Sequence, residues 1–294
     1  MLHYHIADKQ GEKQMFANTI SENTRIYILR NSRLLERQMY SVLFEKAPVE
    51  MVIKAIAAYQ NADGGFGNGI EPDLLTPVST GIGMETAFYY LDMLTNKKHC
   101  TDQVNPLLQR AREWVEHSIT ENGIIPIIPD DVRSYPHQVW WLNSDETRIL
   151  SLAGYLAKFN MPLRQRAKRI VARFADTLAI PDVLTEYNYP LFVYAVNETS
   201  FSRWDQVLDV LQQKLTEHIY EPRESYFLLT RYWYHFIDMM PEELVERQIE
   251  RYVDSIEADG GMPNPYPELP WWRPIVTLDF LLILNRLELL DRLE

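Results

Sequence analysis

Hydrophobic residues recur at helical spacing along most of the chain, and the recurring stripes are of two kinds. Three segments carry an apolar stripe on one face only, which predicts helices with one solvated face; these stripes begin at Val104, Leu163 and Leu244. Other segments are apolar nearly all round, as in 191–196 and 275–290. Such segments are typical of helices buried on every side. Alternation of the two kinds predicts an inner and an outer layer of helices.

The same periodicity predicts about eleven or twelve helices and no strand, which makes the fold class all-α. Prolines at 48, 162 and 241 lie at or near predicted first turns, where the missing amide hydrogen costs little. The predicted helices span 22–46, 49–60, 80–94, 104–119, 144–159, 162–178, 184–196, 203–219, 225–237, 241–256 and 272–290.

A glycine turn follows several of the one-faced helices. The clearest copy is Gln60-Asn61-Ala62-Asp63-Gly64-Gly65-Phe66-Gly67, directly behind an amphipathic segment. A weaker copy is Asp259-Gly260-Gly261, and Asn122-Gly123 keeps two positions of it. Self-similarity of this kind indicates a helical pair that is used several times.

These residues resemble the terpenoid cyclase and protein prenyltransferase superfamily, whose α/α toroids carry a Gln-x-x-Asp-Gly-Gly-Phe-Gly type motif at the ends of outer helices. Residues 60–67 match that motif fully, and 259–261 match its central turn. The resemblance implies a single (α/α)6 toroid of about twelve helices in two concentric rings. It would occupy residues 1–294 as one domain, with 1–20 as a peripheral N-terminal segment.

The catalytic motifs of that superfamily are not reproduced in this chain. Cyclases that protonate an alkene use Asp-x-Asp-Asp, whereas this chain has Ile128-Pro129-Asp130-Asp131. Prenyltransferases hold zinc with Asp, Cys and His to generate a thiolate. Here Cys100 follows His99 without the Asp-x-Cys spacing. We therefore predict no metal and no cofactor.

Composition and charge narrow the possible partners. A formal net charge of -12 disfavours nucleic acid, because binding it depends on a surplus of Lys and Arg. A single cysteine, a polar stretch at 1–14 and the lack of any long apolar run predict a cytoplasmic protein without a transmembrane segment. We expect a small-molecule ligand, and the sequence leaves the oligomeric state open.

Candidate catalytic residues are acids near one predicted rim. Loops that leave the outer helices at 66–80, 124–143 and 262–272 should converge where the inner helices begin, and clefts of this kind are default ligand sites. These loops carry several acids, Glu71 and Asp73 among them. The acids that we predict to be catalytic are Glu186, Glu146, Glu85, Asp131 and Asp130.

Aromatic residues accompany these acids. The predicted ligand-binding residues are Trp140, Trp141, Tyr187, Tyr189, Tyr226, Trp271, Trp272, Arg273 and His137. Each also has a structural interpretation. Asn143 and Glu146 have the spacing of a helix cap, Glu85 has the character of an acid that is either solvated or paired with an arginine, and the tryptophan pairs suit packing between loops.

Acids among aromatic side chains suit two kinds of chemistry. A protonated acid can start a reaction whose cation is stabilised by aromatic faces, which would suit an isoprenoid or a similar small molecule. Alternatively, two carboxylates can act across a glycosidic bond while sugar rings stack on aromatic side chains; this would suit a carbohydrate-active hydrolase, lyase or epimerase. A third interpretation is a non-catalytic binding or scaffold protein.

Overall fold

The computed structural model describes residues 22–127, 129–142, 147–180, 189–220 and 231–287. These residues form α-helices and short 3-10 helices, so the fold is all-α as predicted. Within the described ranges there is no strand, and isolated antiparallel bridges join Gln60 to Phe66 and Leu74 to His137. None of the described helices is both long enough and apolar enough to cross a membrane.

The helices are numbered along the chain, and two 3-10 helices, Val139–Leu142 and Arg231–Met239, lie between them. The α-helices are α1 (Glu22–Asn31), α2 (Leu34–Phe44), α3 (Glu50–Ala57), α4 (Gly81–Lys98), α5 (Thr101–Ser118), α6 (Pro129–Arg133), α7 (Arg148–Lys158), α8 (Gln165–Thr177), α9 (Tyr189–Asn197), α10 (Trp204–Tyr220), α11 (Glu242–Ser255) and α12 (Trp272–Arg286).

The chain divides into two compact units. One unit comprises Met1–Phe44 and Leu215–Glu294, and the other comprises Glu45–Lys214, so the boundary on the C-terminal side falls within α10. In the first unit, α12 packs against α1 and α2. In the second, α7 packs against α4, α8 and α9. The single domain over 1–294 and the two-ring toroid remain predictions.

Buried and half-solvated helices alternate as the hydrophobic pattern predicts. From Gly81 to Leu94 every residue of α4 is buried, whereas α5 buries one stripe, from Val104 to Val115. The same contrast separates α7 from α8, and α12 from α11. The predicted single stripes of α5, α8 and α11 and the predicted all-round apolar character of α12 are confirmed.

The prediction of one helix over 22–46 was wrong, because the chain breaks between α1 and α2. In a continuous helix the carbonyl of Ser32 would accept the amide hydrogen of Glu36. It accepts the Nε hydrogen of Arg37 at 2.7 Å instead. The amide of Arg37 donates to the carbonyl of Arg33 at 3.1 Å, which starts the second helix.

Three turns of the same hydrogen-bond pattern follow α3, α5 and α11. In the first, the amide of Gly64 donates to the carbonyl of Asn61 at 3.0 Å, and the amide of Asn61 donates to the carbonyl of Gly65 at 2.8 Å. The turns at 120–124 and 257–261 repeat both bonds. The two lengths, in the same order, are 3.0 and 2.9 Å in the turn at 120–124, and 2.8 and 2.9 Å in the turn at 257–261. The repeat inferred from the glycines is therefore present in the backbone.

Each turn rests on another helix, and this contact explains the glycine at its fourth position. Gly64 has φ +94°, and a Cβ added there would lie 2.4 Å from the carbonyl oxygen of Arg110 on α5. Gly260 has φ +88°, and a Cβ would lie 2.4 Å from backbone atoms of Asn23 and Thr24 on α1. Only glycine combines the left-handed conformation with so close an approach.

Candidate functional site

Two loops of the second unit are held side by side. The loop after the first turn, residues 66–80, pairs with the segment 129–142 through the bridge between Leu74 and His137. The amide of Leu75 donates to the carbonyl of Pro136 at 2.9 Å, and the amide of Gln138 donates to the carbonyl of Asp73 at 3.0 Å. The predicted meeting of these two loops is confirmed. The third predicted loop, 262–272, belongs to the other unit.

The paired loops bury two acids, Glu71 and Asp73, each about 5% exposed. Beside them Leu74, Ile82, Val132 and Trp141 form an apolar cluster. Carboxyl groups are rarely buried without partners, because transfer from water of an unpaired charge is costly. Each of these carboxyls has hydrogen-bond partners.

Asp73 accepts a hydrogen bond from a neighbouring indole. The Nε1 hydrogen of Trp141 donates to Oδ1 of Asp73 at 2.7 Å. The Glu71 carboxyl and, with a smaller effect, the Trp140 side chain also lie near enough to the Asp73 carboxyl to lower its pKa. The 3-10 helix Val139–Leu142 places both tryptophans beside the 66–80 loop. The predicted ligand-binding residues Trp140 and Trp141 thus meet at a single acid.

Glu71 is anchored to the buried helix α4. The Thr86 hydroxyl donates to Oε2 of Glu71 at 2.5 Å, within the range of a short charge-assisted hydrogen bond. Thr86 is about 2% exposed. The bond fixes the Glu71 carboxyl against the helix that carries Glu85.

Burial raises the pKa of Asp73 above its ordinary value, because the carboxylate is separated from water. Hydrogen bonding of Asp73 to Trp141, to Glu71 and to its own amide lowers the pKa, and so does the neighbouring Trp140 side chain. Together they offset part of the effect of burial. A carboxyl that keeps its proton to higher pH next to a second carboxyl can act as a general acid.

Glu85, predicted to be catalytic, lies in the same interior and is paired with a cation. Arg148 on α7 donates through Nη1 to Oε2 of Glu85, and both side chains are more than nine-tenths buried. Two turns further along α4, Asp92 binds Nζ of Lys158 at 2.7 Å. Glu85 is therefore paired with an arginine in this structure.

Tyr189, a predicted ligand-binding residue, is fully buried in an aromatic cluster of α4, α7 and α9. Its hydroxyl lies 2.8 Å from the hydroxyl of Tyr155. Burial raises the pKa of both phenols well above the ordinary tyrosine value. Phe88 packs on Tyr155 with ring centroids 5.9 Å apart. Both phenols therefore stay neutral and act as hydrogen-bonding groups.

The other predicted residues of the paired loops are nearer the surface. Asp130 is exposed, and its carboxylate lies 3.5 Å from the guanidinium of Arg133. The carbonyl of Asp130 accepts a hydrogen bond from the hydroxyl of the exposed Ser134. Asp131 is half-buried, and its carbonyl accepts the Thr76 hydroxyl at 3.0 Å. His137 contacts the carbonyl of Tyr135 through Nδ1 at 2.7 Å. The contact between Thr76 and Asp131 joins the two loops, and the other contacts lie within the segment 129–142.

In the other unit, Arg273 binds the third turn. Its guanidinium contacts both oxygens of Asp259, at 2.6 and 2.7 Å, and Glu257 at 2.6 Å. It also lies over the ring of Tyr27 at 4.7 Å. The guanidinium is therefore engaged within the protein.

Six predicted site residues remain: two tryptophans of the first unit and four residues outside the described part of the chain. Trp271 is about 40% exposed. The Trp272 ring packs 5.6 Å from Tyr266 and lies 5.8 Å from the Arg231 guanidinium. Four predicted site residues, Glu146, Glu186, Tyr187 and Tyr226, lie outside the described residues.

Sequence reasoning missed the central role of Asp73 and the contact made by Thr86. Both loop acids were visible as acids near a predicted rim, but nothing marked them as buried. The available signal was Glu85-Thr86 on a helix that is apolar all round, since polar groups there need partners. Among the residues that the structure describes, no three His, Cys, Asp or Glu side chains form a group that could hold a metal ion.

The site thus consists of two neighbouring buried carboxyls, the indole donor of Trp141, the nearby Trp140 side chain and a hydroxyl donor from α4. Comparison with known proteins adds no further assignment. No protein-family model, no curated protein and no solved structure matches this chain.

Proposed function

We propose that this protein is an enzyme in which Asp73 acts as a general acid on an isoprenoid or a similar small molecule. The observation that carries the proposal is the contact of the buried Asp73 carboxyl with Glu71, together with its hydrogen bond from Trp141. A buried acid with a raised pKa suits such chemistry, because it keeps its proton to higher pH than an exposed acid does.

The roles of the other side chains follow from their contacts. When the O–H bond of Asp73 breaks and its proton forms a bond to the ligand, the indole hydrogen of Trp141 stabilises the resulting carboxylate. The negative ring faces of tryptophan stabilise positive charge that develops on the ligand. The product then loses a proton to the adjacent Glu71 carboxylate, and transfer of that proton from Glu71 to Asp73 returns both carboxyls to their starting state.

A carbohydrate-active enzyme is the second candidate, and the exposed ring of Trp140 favours it as a stacking surface for a sugar. Against it stands the contact between the two carboxyls. Glycosidases hold their carboxyl groups about 5 Å apart or more, to leave room for the sugar or a water molecule. A hydrogen-bonded pair is closer than this spacing, and Glu85 is neutralised by Arg148.

The test is a thermal-shift screen of the native protein and two matched variants. Prenyl diphosphates, squalene-like lipids and oligosaccharides serve as probes, because a ligand that binds the folded state raises its melting temperature. In Asp73→Asn the amide reproduces the geometry of a protonated acid but cannot give up its proton. Asp130→Asn changes an exposed acid of the paired segment and serves as the control.

We expect one probe class to stabilise all three proteins, and turnover of that class to be lost only in Asp73→Asn. Unchanged turnover in Asp73→Asn would exclude the acid role. Turnover that is lost in Asp130→Asn and kept in Asp73→Asn would show that the exposed Asp130, not Asp73, is the general acid.

A further inference from the structure

The paired loops carry an exposed apolar surface. Of the eight large apolar side chains that are exposed in the described part of the chain, four lie on these two loops, namely Leu75, Tyr135, Val139 and Trp140. Val139 is about 73% exposed, and the other three are 40 to 42% exposed. We call these four residues the loop patch. Apolar groups that are exposed side by side, rather than scattered singly, are often binding surfaces.

The backbone brings the members of the loop patch together. The amide of Leu75 donates to the carbonyl of Pro136, the residue after Tyr135, at 2.9 Å. Val139 and Trp140 belong to the 3-10 helix that begins three residues further along the chain. The indole hydrogen bond to the buried acid holds this 3-10 helix against the first of the two loops. The loop patch is therefore one surface that the fold keeps in place.

The loop patch lies in a part of the sequence without acids, although the protein has a formal net charge of -12. Residues 74–80 and 132–142 contain no Asp or Glu. The exposed acid just before the second stretch, Asp130, lies 3.5 Å from the guanidinium of Arg133. A surface that enters an apolar medium loses its water, and each carboxylate on it would make that transfer costly. The lack of acids is thus a condition for insertion into such a medium.

The size of the loop patch is unfavourable for a stable protein partner, including a second copy of this chain. A stable protein interface buries about 800 Å² on each partner, whereas four side chains with this exposure supply roughly 400 Å². A lipid bilayer needs no complementary shape. Tyrosine and tryptophan favour the boundary between its headgroups and its acyl chains, because each ring has an apolar body and a polar tip.

We propose that the loop patch docks this protein on a zwitterionic lipid bilayer, with Val139 among the acyl chains and the rings of Tyr135 and Trp140 at the level of the headgroups. A zwitterionic bilayer fits better than an anionic one, because anionic headgroups repel a protein with a net charge of -12. The proposal goes beyond the acid role of Asp73 and is independent of it, since docking involves no proton transfer.

The test is flotation of the protein with vesicles of dioleoylphosphatidylcholine, alone or with phosphatidylserine added. Val139→Asp places a carboxylate in the loop patch. Val196→Asp makes the same change at an exposed valine of α9, outside the loop patch, and serves as the matched control. Thermal melts establish that the variants are folded, and Tyr135→Ser gives a second comparison if Val139→Asp is not.

We expect the native protein to float with phosphatidylcholine vesicles and Val139→Asp to bind them at least about tenfold more weakly, because a carboxylate resists transfer out of water. Val196→Asp should stay within about twofold of the native protein, and Tyr135→Ser should bind about threefold more weakly. Added phosphatidylserine should weaken the binding of the native protein. Asp73→Asn should float like the native protein, so loss of turnover and loss of vesicle binding are separate results.

Several outcomes would overturn the proposal. One is a native protein that does not float with phosphatidylcholine vesicles, and another is an equal loss of binding in the two valine variants. Stronger binding when phosphatidylserine is added would show that charge, rather than the loop patch, holds the protein on the bilayer. Sedimentation velocity without vesicles tests the other occupant. A native dimer that Val139→Asp abolishes, without any vesicle binding, would assign the loop patch to a second copy of the chain.

Discussion

Arg148 binds Glu85 between α7 and α4, and the next ion pair along the same two helices runs in the same order. Asp92 follows Glu85 on α4, and Lys158, its partner, follows Arg148 on α7. Residues that pair in the same order on two helices show that these helices run parallel. Neighbouring inner helices of an α/α barrel would have this arrangement, although the closed toroid remains a prediction.

Breaking the pair of Glu85 and Arg148 should destabilise the protein strongly. We expect Glu85→Gln to lower the free energy of unfolding by about 3 to 5 kcal/mol, because it leaves a buried guanidinium without its counter-charge. The double variant with Arg148→Met should cost clearly less than the sum of the single changes. Urea unfolding of the four proteins measures the coupling.

The pair of Asp92 and Lys158 is the matched control for that cycle. The Lys158 side chain is about 28% exposed, so water compensates part of any lost contact. Its coupling should be smaller than that of Glu85 and Arg148. Equal couplings in the two cycles would contradict this account of burial.

The stability of the protein should respond to pH through Asp73. Its folded pKa is raised above the ordinary 3.8, so between these two values the folded chain binds more protons than the unfolded chain. The free energy of unfolding therefore falls as pH rises through that window. The stability lost by ionising the buried Asp73 reaches its full value above the folded pKa, and no stability is lost below pH 3.8.

Asp73→Asn removes this titration and keeps the hydrogen-bonding shape. We expect the stability of the variant relative to the native protein to rise as pH increases from about 4 to about 8. Urea titrations at each pH measure the difference. A difference that stays constant with pH would mean that Asp73 does not bind protons differently in the two states.

The first turn should tolerate no side chain at Gly64. Gly64→Ala combines a strained positive φ with a contact of 2.4 Å to backbone, and we expect it to cost roughly 2 to 4 kcal/mol. Gly69→Ala provides the control, because Gly69 also has a positive φ, +71°, but meets only the end of the Leu75 side chain at 3.0 Å.

Gly69→Ala should therefore cost about 1 to 2 kcal/mol, which represents the backbone strain alone. Chemical denaturation of both variants gives the two values. If they cost the same, the close approach to α5 would have no energetic weight.

The bond between Arg273 and the third turn should depend on the shape of the guanidinium. Arg273→Lys keeps the charge but loses the two-pronged contact with Asp259 and the planar face over Tyr27. We expect a loss of about 1 kcal/mol, kept small because Asp259 is half exposed.

Added salt should reduce the difference between the native protein and Arg273→Lys, because exposed ion pairs are screened. Thermal melts at low and high salt measure it. A lysine variant as stable as the native protein at low salt would show that the geometry of the arginine is unimportant.

The helices were largely predictable from sequence, because hydrophobic periodicity records which face is buried. The all-round apolar character of α9 and α12 and the single stripes of α5, α8 and α11 are all reproduced. The break at Ser32 was not predictable in this way, since it depends on a side-chain bond from Arg37 that leaves the hydrophobic pattern intact.

The site was only partly predictable. Trp140 and Trp141 were identified from their position before an inner helix; Trp141 bonds Asp73, and Trp140 lies beside it. Asp73 itself looked like one of many loop acids, because burial of a loop residue depends on the second loop that covers it. That contact joins residues 68 positions apart, and local sequence carries no signal for it.

The turns that rest on neighbouring helices have a consequence for how the second unit opens. The turn that ends α3 rests on α5, and the turn that ends α5 rests on α8 through Gly123 and Phe174. Fraying of α5 would thus release both the turn at 61–65, which rests on α5, and the turn at 120–124, which ends α5. Nearest-neighbour coupling of this kind spreads an opening to both sides. Amide hydrogens of α3, α5 and α8 should therefore exchange in a shared cooperative event, as members of one block.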